Sequence, residues 1–329
     1  MSTPDGPDES EKAPRRHHPP TFADIEARAH QTRVEIEARA EAARAQFEAT
    51  NERIRARTGR NLFAAIGIGL ALAAMLIVSL FLWKPLFILF GGLLVGFTTF
   101  ELASALRHAG RNVPRIASTV VGVATVPVAF FWHVEGLWLA LLVAIVLITV
   151  YRVVELLRPS HRTGTRPVLL DIGAGAFVQV YVAFFAGLYL ALTGSDGGEW
   201  WTLVALAIVV FTDVGAYATG LKFGKHKLAP AISPGKTWEG FAGSIVVAVL
   251  LGAVLAPLLL QEPWWLGAIL GLLLALVGTA GDLTESLIKR DLGIKDISTW
   301  LPGHGGFLDR LDSILPSAPV AFAFFSLFS

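Results

Sequence analysis

The segment from Ser286 to Asp312 carries the densest polar chemistry of the chain. It places Lys289, Arg290 and Lys295 ahead of a Pro-Gly-His-Gly-Gly turn, and an Asp-Arg-x-Asp cluster follows the turn. The 329 residues as a whole are 54% hydrophobic. Charge at this density between two hydrophobic segments is costly unless water, a metal ion or a phosphate receives it. This segment is therefore the first candidate for a functional site.

Carboxylates in and beside this segment have spacings that suit metal binding. If the preceding helix continues through Arg290, one of its faces carries four polar residues, since they lie three or four positions apart: Asp282, Glu285, Ser286 and Lys289. Asp309 and Asp312 are three residues apart and can share a face as well. Separate carboxylates that converge are hard-oxygen ligands for Mg²⁺, which is usually shared with substrate phosphates. Ion pairs within the loop are the alternative interpretation.

The turn itself has the composition of an anion-binding loop. His304 is followed by Gly305 and Gly306, and two glycines allow the backbone to approach an anion closely. A histidine that only caps the turn is the alternative for His304.

A second polar segment runs from Asp213 to Gly240. Asp213 lies within a predicted membrane span, where an unpaired carboxylate costs about 2.5–3.5 kcal/mol. Ser233, Lys236 and neighbouring small residues suit a loop whose amides and ammonium group approach phosphate oxygens. The GxxxxGK[ST] spacing of a Walker loop is absent. Ordinary cytoplasmic lysines beside a Pro-Gly turn are the alternative.

Composition places the chain among membrane proteins. Its net charge is only +1, and it contains no cysteine, which excludes disulfides, thiolate metal sites and a catalytic thiol. A bilayer core of about 30 Å needs roughly 20 apolar residues per helix. The sequence predicts an all-α, polytopic membrane helix bundle with about nine spans: 62–82, 85–106, 113–131, 137–157, 171–192, 200–219, 241–260, 264–284 and 314–329.

The distribution of basic residues predicts the orientation of these spans. Of the 27 Lys and Arg residues, 11 precede residue 61 and 15 lie in alternate connections, which leaves Lys84 alone on the other side. Cytoplasmic connections carry the excess of Lys and Arg. The N-terminus and both polar segments are therefore predicted to face the cytoplasm, in a multi-pass protein of the plasma (inner) membrane.

A polar tail is predicted ahead of the membrane domain. Residues 1–60 form this cytoplasmic tail, which is disordered and then helical, and residues 61–329 form the integral membrane domain. The later part of the tail would fit either a solvated helix or an amphipathic anchor.

Glu101 and Asp171 are interpreted as structural partners for nearby arginines.

Taken together, the polar motifs resemble those of the phosphatidate cytidylyltransferases, also called CDP-diacylglycerol synthases. The C-terminal motif consists of Ser286-x-x-Lys289-Arg290, Lys295-Asp296 and Pro302-x-His304-Gly305-Gly306-x-x-Asp309-Arg310-x-Asp312. The upstream motif consists of Asp213-x-x-x-Tyr217, Gly220, Phe223-Gly224 and Ser233-Pro234-x-Lys236-Thr237-x-Glu239-Gly240. The motifs cover about 60 residues. Gly235 and the pair Ile297-Ser298 depart from the residues common in that family.

The resemblance implies a function and a set of roles. The reaction would be CTP + phosphatidate → CDP-diacylglycerol + diphosphate in phospholipid biosynthesis, dependent on Mg²⁺ and with room for a second, monovalent cation. A homodimer with a cytoplasmic cavity open to the bilayer is implied, and no nucleic acid. Asp282 and Asp309 would be metal-binding and catalytic, together with catalytic Lys289 and Arg290. The substrate-binding set would be Asp213, Ser233, Lys236, Lys295, His304, Gly305, Gly306, Arg310 and Asp312.

Two other functions are compatible with a membrane chain of this type. A CTP-dependent polyprenol or phytol kinase would transfer the γ-phosphoryl group to an alcohol, and the intact motif from Ser286 to Asp312 favours the cytidylyltransferase instead. A transporter would use Asp213 and Asp282 as ion-coupling carboxylates. It would need polar residues at mid-bilayer in several spans, whereas the charges here gather at the cytoplasmic ends.

Overall fold

The computed structural model describes residues 62–158, 164–294, 297–298, 300 and 306–329. Its helices are α1 (Leu62–Phe81), α2 (Pro85–His108), α3 (Arg115–Glu155), α4 (Thr165–Gly194), α5 (Gly198–Phe223), α6 (Trp238–Leu260), α7 (Trp264–Asp291), α8 (Leu308–Leu311) and α9 (Ile314–Phe328). The α4 helix contains a π-helical turn at Gln179–Phe184, and α6 ends in another at Ala256–Leu260. The predicted tail at residues 1–60 lies outside the described residues.

The prediction of an all-α bundle is confirmed, with one small addition. The segment predicted as a loop after α5 folds into an antiparallel hairpin of β1 (Lys227–Ala229) and β2 (Ser233–Thr237). Ala229 pairs with Ser233 and Lys227 with Thr237. The hairpin places Ser233 and Lys236 on one strand directly ahead of α6.

The long helix α3 is two helices joined by a reversal at His133, whose φ of 51° and ψ of −146° are not helical. The two halves of α3, here called its legs, contact α4 in opposite directions. On the first leg, Ser118 contacts Gln179 and Phe130 contacts Gly194. On the second leg, Leu137 contacts Gly187 and Arg152 contacts Asp171. The first leg is therefore parallel to α4 and the second antiparallel. The two legs form a hairpin.

This hairpin accounts for the predicted number of spans. Among the described residues, seven helices are long and apolar enough to cross a membrane, and α3 is one of them. Since α3 contributes two legs, the seven helices supply eight apolar legs. The apolar 20-residue helix α1 is not among the seven and occupies the position of the first predicted span. Nine predicted spans therefore correspond to nine helical legs in the described part of the chain.

Contacts near the loops between helices show which loops lie at the same end of the bundle. At one end, Lys84 Nζ lies 3.0 Å from Glu199 Oε2, which joins the α1–α2 and α4–α5 connections. At the other end, the backbone N–H of Asn112 donates to Asp171 Oδ1 over 3.0 Å, and Arg152 contacts the same carboxylate. This alternation is the one that the distribution of basic residues predicts.

The interpretation of Asp171 as a structural partner for an arginine is confirmed. Arg152 Nε and Nη2 donate to Asp171 Oδ2 over 3.0 and 2.9 Å, and both side chains are buried. Asn112 Nδ2 donates to Glu155 Oε2 over 2.8 Å beside them. A buried charge pair of this kind fixes geometry, because either partner alone would be costly in this environment. It holds α4 against the second leg of α3.

Small residues set the crossing of α6 and α7. A Cβ atom at Gly252 would lie 2.0 Å from the carbonyl oxygen of Gly267, and one at Gly271 would lie 2.1 Å from that of Ala248. Glycine lets helix backbones approach this closely, as membrane helix interfaces often require. The two contacts define an antiparallel register, and continuing that register brings the start of α6 beside Asp282 on α7.

Candidate functional site

A cavity of about 590 Å³ lies between α5, α6, α7 and the β-hairpin. A volume of this size is typical of small-molecule sites. Four of the predicted site residues line it: Asp213, Ser233, Lys236 and Asp282. Tyr217, Gly220, Thr237 and Gly240 of the upstream motif line it as well. The segment from Asp213 to Gly240 thus forms most of the cavity wall, and Asp282, one turn ahead of the C-terminal segment, lies on the α7 side.

Close helix packing fixes the entry of the chain into α6. The Thr237 hydroxyl accepts a hydrogen bond from the backbone N–H of Gly240 over 3.1 Å, which caps the helix. A Cβ atom at Gly240 would lie 2.9 Å from the carbonyl oxygen of Ala216 on α5. Glycine is therefore required at this point, and the packing holds β2 over the cavity.

The hairpin is also clamped by Glu239. Its carboxylate accepts from the backbone N–H of Lys225 over 3.1 Å and lies 2.6 Å from His226 Nδ1. The start of the hairpin is thereby tied to the first turn of α6. This contact gives Glu239 a structural role in shaping the cavity wall.

An ion pair crosses the cavity between the two walls. Lys236 Nζ lies 2.6 Å from Asp282 Oδ2, and both side chains are partly exposed. The Ser286 hydroxyl donates to the other oxygen of Asp282 over 3.4 Å. The predicted helical face is therefore confirmed, because α7 continues to Asp291 and carries this contact on it.

A second ion-pair cluster lies one helical turn further along α7. Lys289 Nζ lies 2.6 Å from Glu285 Oε2 and 2.8 Å from Asp309 Oδ1. The Glu285 side chain is fully buried, and that of Asp309 is 8% exposed. Lys289 therefore contacts two acidic side chains that come from different parts of the chain, and it fixes the start of α8 against α7.

The two aspartates of the C-terminal motif face different partners. Asp309 Oδ2 accepts from the backbone N–H of Gly306 over 2.7 Å, in addition to its contact with Lys289. Asp312 instead has repulsive charge interactions with the carboxylates of Asp282 and Asp213. Its backbone packs on α7, since a Cβ atom at Gly281 would lie 2.3 Å from the Asp312 carbonyl oxygen. Both aspartates thus belong to the same region as Asp282.

The two arginines of the motif lie at the edges of this region. Arg290 Nε donates to the carbonyl oxygen of Ile232, over 3.3 Å, and so links the end of α7 to the hairpin turn. Arg310 lies within electrostatic range of Asp213. The predicted substrate-binding residues Lys295, His304 and Gly305 lie outside the described residues.

Sequence reasoning misassigned the partners of one residue and missed another. Glu101, interpreted as a partner for an arginine, accepts hydrogen bonds from Ser298 Oγ and from the backbone N–H of Leu308. Tyr181, on the π-helical turn of α4, is buried with a hydroxyl that has no hydrogen-bond partner in the described part of the chain. It lies within electrostatic range of Asp312, Glu285 and Asp282. An intramembrane carboxylate was a visible signal in the sequence, whereas an isolated tyrosine was not.

The carboxylates of Asp282 and Asp309 are the kind of ligand that binds a magnesium ion shared with substrate. Among the described residues, no group of three or more His, Asp or Glu side chains could form a metal cage. Mg²⁺ is usually bound by one or two carboxylates together with substrate phosphates. Asp282 and Asp309 each hold a lysine ammonium within 2.8 Å, so each carboxylate already receives a cation. An ion held by either carboxylate would therefore need further oxygen ligands, such as those of substrate phosphates.

Comparison with known proteins agrees with this geometry. The sequence model described as the cytidylyltransferase family matches residues 62–328, which include both walls of the cavity. The chain belongs to the cytidylyltransferase family. The match lies wholly outside the polar tail at residues 1–60 and makes the protein a nucleotidyltransferase, as the sequence predicts. The seven long apolar helices make it a multi-pass membrane protein.

Two relatives are similar over most of the chain, and a third is similar over slightly less than half of it. A phosphatidate cytidylyltransferase of Mycobacterium bovis is 37% identical over 277 residues, which are 83% of this chain and 90% of the relative. One of Mycobacterium leprae is 36% identical over 279 residues, 82% of this chain and 89% of the relative. A third, of Brucella suis, is 40% identical over 152 residues, 46% of this chain and 56% of the relative.

Proposed function

We propose that this cytidylyltransferase converts CTP and phosphatidate to CDP-diacylglycerol and diphosphate. The similar proteins of Mycobacterium bovis and Mycobacterium leprae carry the name of this activity. The observation that carries the proposal is the ion pair between Lys236 and Asp282, because it joins the upstream motif to the polar face of α7 that continues into the C-terminal motif.

The chemistry that this cavity must support is the approach of two polyanions. A phosphate oxygen of the lipid attacks the α-phosphorus of CTP, a new P–O bond forms, and the bond to the β-phosphate breaks with its electron pair leaving on diphosphate. Such transfers are catalysed mainly by positioning and by neutralising charge. No strong general base is needed, because the lipid phosphate is already ionised at neutral pH. The cationic side chains at the cavity supply the required neutralisation.

The lysines have donors to spare for the substrates. Lys236 is paired with Asp282, and Lys289 is paired with Asp309. A lysine ammonium donates up to three hydrogen bonds, so each can keep a carboxylate contact while it gains a phosphate oxygen. Lys236 lines the cavity and is the nucleotide contact, while Lys289 and Arg290 lie further along α7 and neutralise the departing diphosphate.

Asp282 and Asp309 are the residues that would hold Mg²⁺, as the resemblance predicts. The metal, when bound, supplies positive charge to the reacting phosphates. The carboxylates of Asp213 and Asp312 lie within electrostatic range of Asp282 and would favour cation binding beside it. A second, monovalent cation stays a prediction of the resemblance.

The orientation and the assembly belong to the same proposal. With the hairpin reversal in α3, the connections that carry Arg111, Arg158 and Lys225 fall on one side of the membrane, and Lys84 falls on the other. The excess of basic residues on the first side supports a cytoplasmic position for that side and for the cavity. An inner-membrane location stays a prediction of the sequence, and a homodimer stays a prediction of the family resemblance.

The choice of acceptor and leaving group tests this function. Purified protein in lipid-detergent micelles is given CTP and Mg²⁺ with phosphatidate or with a polyprenol, and diphosphate and CDP are both measured. The proposal predicts that diphosphate is released only with phosphatidate. Release of CDP with the polyprenol would show a kinase instead, and no turnover with either acceptor would contradict the proposal.

A further inference from the structure

Glu101 is a buried carboxylate on a membrane-spanning helix, and its contacts lie far away in the sequence. Its side chain is 2% exposed on α2. One oxygen accepts from Ser298 Oγ, and the other accepts from the backbone N–H of Leu308 over 3.0 Å. An intramembrane charge is costly and is usually retained for function. The two contacts lie on either side of residues 299–305.

The second contact reaches the start of the short helix that carries Asp309. The backbone N–H of Leu308 is a donor that no preceding helical turn satisfies, so a carboxylate from another helix stabilises it. Beside it, Asp309 accepts from the N–H of Gly306 over 2.7 Å. Glu101 and Asp309 thus satisfy neighbouring amides of one short stretch of backbone.

Gly306 is packed directly against this carboxylate. A Cβ atom at Gly306 would lie 2.9 Å from Glu101 Oε2 and 3.0 Å from Oε1. Any side chain at this position would push the carboxylate away from its hydrogen-bond donors. The close approach of Glu101 therefore explains the glycine.

Aromatic side chains of α2 extend the same contact. Phe97 stacks on Phe307 with ring centroids 4.7 Å apart, and Phe100 stacks on Trp300 at 5.6 Å. Both partners lie in the C-terminal motif segment, close in sequence to the two groups that Glu101 binds. One face of α2 therefore holds this segment through polar and apolar contacts together.

We propose that Glu101 is a positioning residue of the reaction, which holds Ser298 and Leu308 and so sets where Asp309 and Gly306 lie. This proposal rests on the proposed function for its catalytic readout. Glu101 does not itself contact substrate in this assignment. Its effect is transmitted through the backbone of residues 306–309.

Two substitutions at Glu101 separate positioning from a direct role of its charge. Glu101→Gln keeps both contacts, since the amide oxygen can accept from Leu308 and the amide nitrogen can donate to Ser298 Oγ. Glu101→Leu removes both. We expect kcat to fall about 100-fold in Glu101→Leu, the effect of a misplacement of about 1 Å. We expect less than a 10-fold change in Glu101→Gln, with the KM for CTP changed little in either variant.

Hydrogen exchange at the Leu308 amide provides a readout that is independent of activity. Exchange should be faster in Glu101→Leu than in wild type and nearly unchanged in Glu101→Gln. Glu199→Leu, which removes a carboxylate from the opposite end of the bundle, is the matched control and should leave this amide unaffected. If the wild-type protein forms no CDP-diacylglycerol, the proposed function fails. The exchange measurement still tests whether Glu101 holds the Leu308 amide.

Three outcomes would overturn the assignment. Equal loss of kcat in both Glu101 variants would mean that the charge acts directly. Unchanged exchange in Glu101→Leu would mean that the contact does not hold the segment. If Glu101→Leu does not fold, Ser298→Ala removes one of the two hydrogen bonds without altering a helix, and wild-type exchange and kcat in that variant would contradict the proposal.

Discussion

The ammonium group of Lys236 lies 2.6 Å from a carboxylate oxygen of Asp282, and this pair connects the strand before α6 to the far end of α7. The contact exists because glycines along α6 and α7 let the two helices cross closely in an antiparallel register. It brings a cation of the upstream motif to a carboxylate one helical turn ahead of the C-terminal motif, at the wall of the cavity.

Replacing Lys236 should weaken nucleotide binding more than turnover. In Lys236→Met, we expect the KM for CTP to rise about 10- to 100-fold, because a hydrogen bond to a charged group contributes about 1.5–3 kcal/mol. Steady-state kinetics at saturating phosphatidate measures this. Lys84→Met is the matched control, since Lys84 forms a comparable ion pair at the opposite end of the bundle. An unchanged KM in Lys236→Met would remove Lys236 from the nucleotide site.

Neutralising either proposed metal ligand should reduce turnover and the response to Mg²⁺. We expect Asp282→Asn and Asp309→Asn to lower kcat by about 100- to 1000-fold, in line with the loss of one electrostatic contact to a transition state. Titration with Mg²⁺ should show a higher half-saturating concentration in both. Asp196→Asn, an exposed aspartate at the other end, should behave as wild type. A folded Asp282 or Asp309 variant with full Mg²⁺-dependent turnover would contradict the metal assignment.

Lys289 should contribute to stability as well as to catalysis. Lys289→Met leaves the buried carboxylate of Glu285 and the nearly buried Asp309 without their shared cation. Breaking a buried pair in this way costs about 3–5 kcal/mol. Thermal unfolding in detergent should show a lower midpoint, and the double variant Lys289→Met with Glu285→Gln should recover part of it. Equal midpoints for Lys289→Met and wild type would show that the cluster is not a stabilising one.

The absence of cysteine makes the orientation directly testable. Single-cysteine variants are made at His108, an exposed residue at the predicted cytoplasmic end, and at Asp196, at the opposite end. A membrane-impermeant maleimide added to intact cells should label Asp196→Cys only. After the cells are permeabilised, it should label both variants. Labelling of His108→Cys in intact cells would reverse the proposed orientation.

Local features of the site could be predicted from the sequence, whereas contacts between distant segments could not. The polar face of Asp282, Ser286 and Lys289 follows from helical periodicity, which depends only on neighbouring residues. The pairing of Lys236 with Asp282 depends on how two helices cross, and the glycines that set that crossing carry no chemical signal of their own. The sequence therefore identified both walls of the cavity but not their register.

The partners of buried carboxylates could likewise be predicted only where they lie close in the sequence. Asp171 has the arginine partner that its position suggested, because Arg152 lies close to it in the sequence and on an adjoining leg. Glu101 was recognisable as an intramembrane carboxylate, yet its donors are a hydroxyl and an amide about 200 residues further along the chain. Those donors come from a segment whose position is set by tertiary packing. The reversal at His133 likewise depends on a single residue with unusual backbone angles.

The fate of the α-phosphate of CTP tests the central claim most directly. Purified protein is incubated with phosphatidate, Mg²⁺ and CTP labelled with ³²P at either the α- or the γ-position, and the lipid phase is then extracted and counted. The account predicts that the α-label enters the lipid phase as CDP-diacylglycerol while the γ-label stays in the aqueous phase as diphosphate. Transfer of the γ-label to lipid, or of neither label, would contradict it.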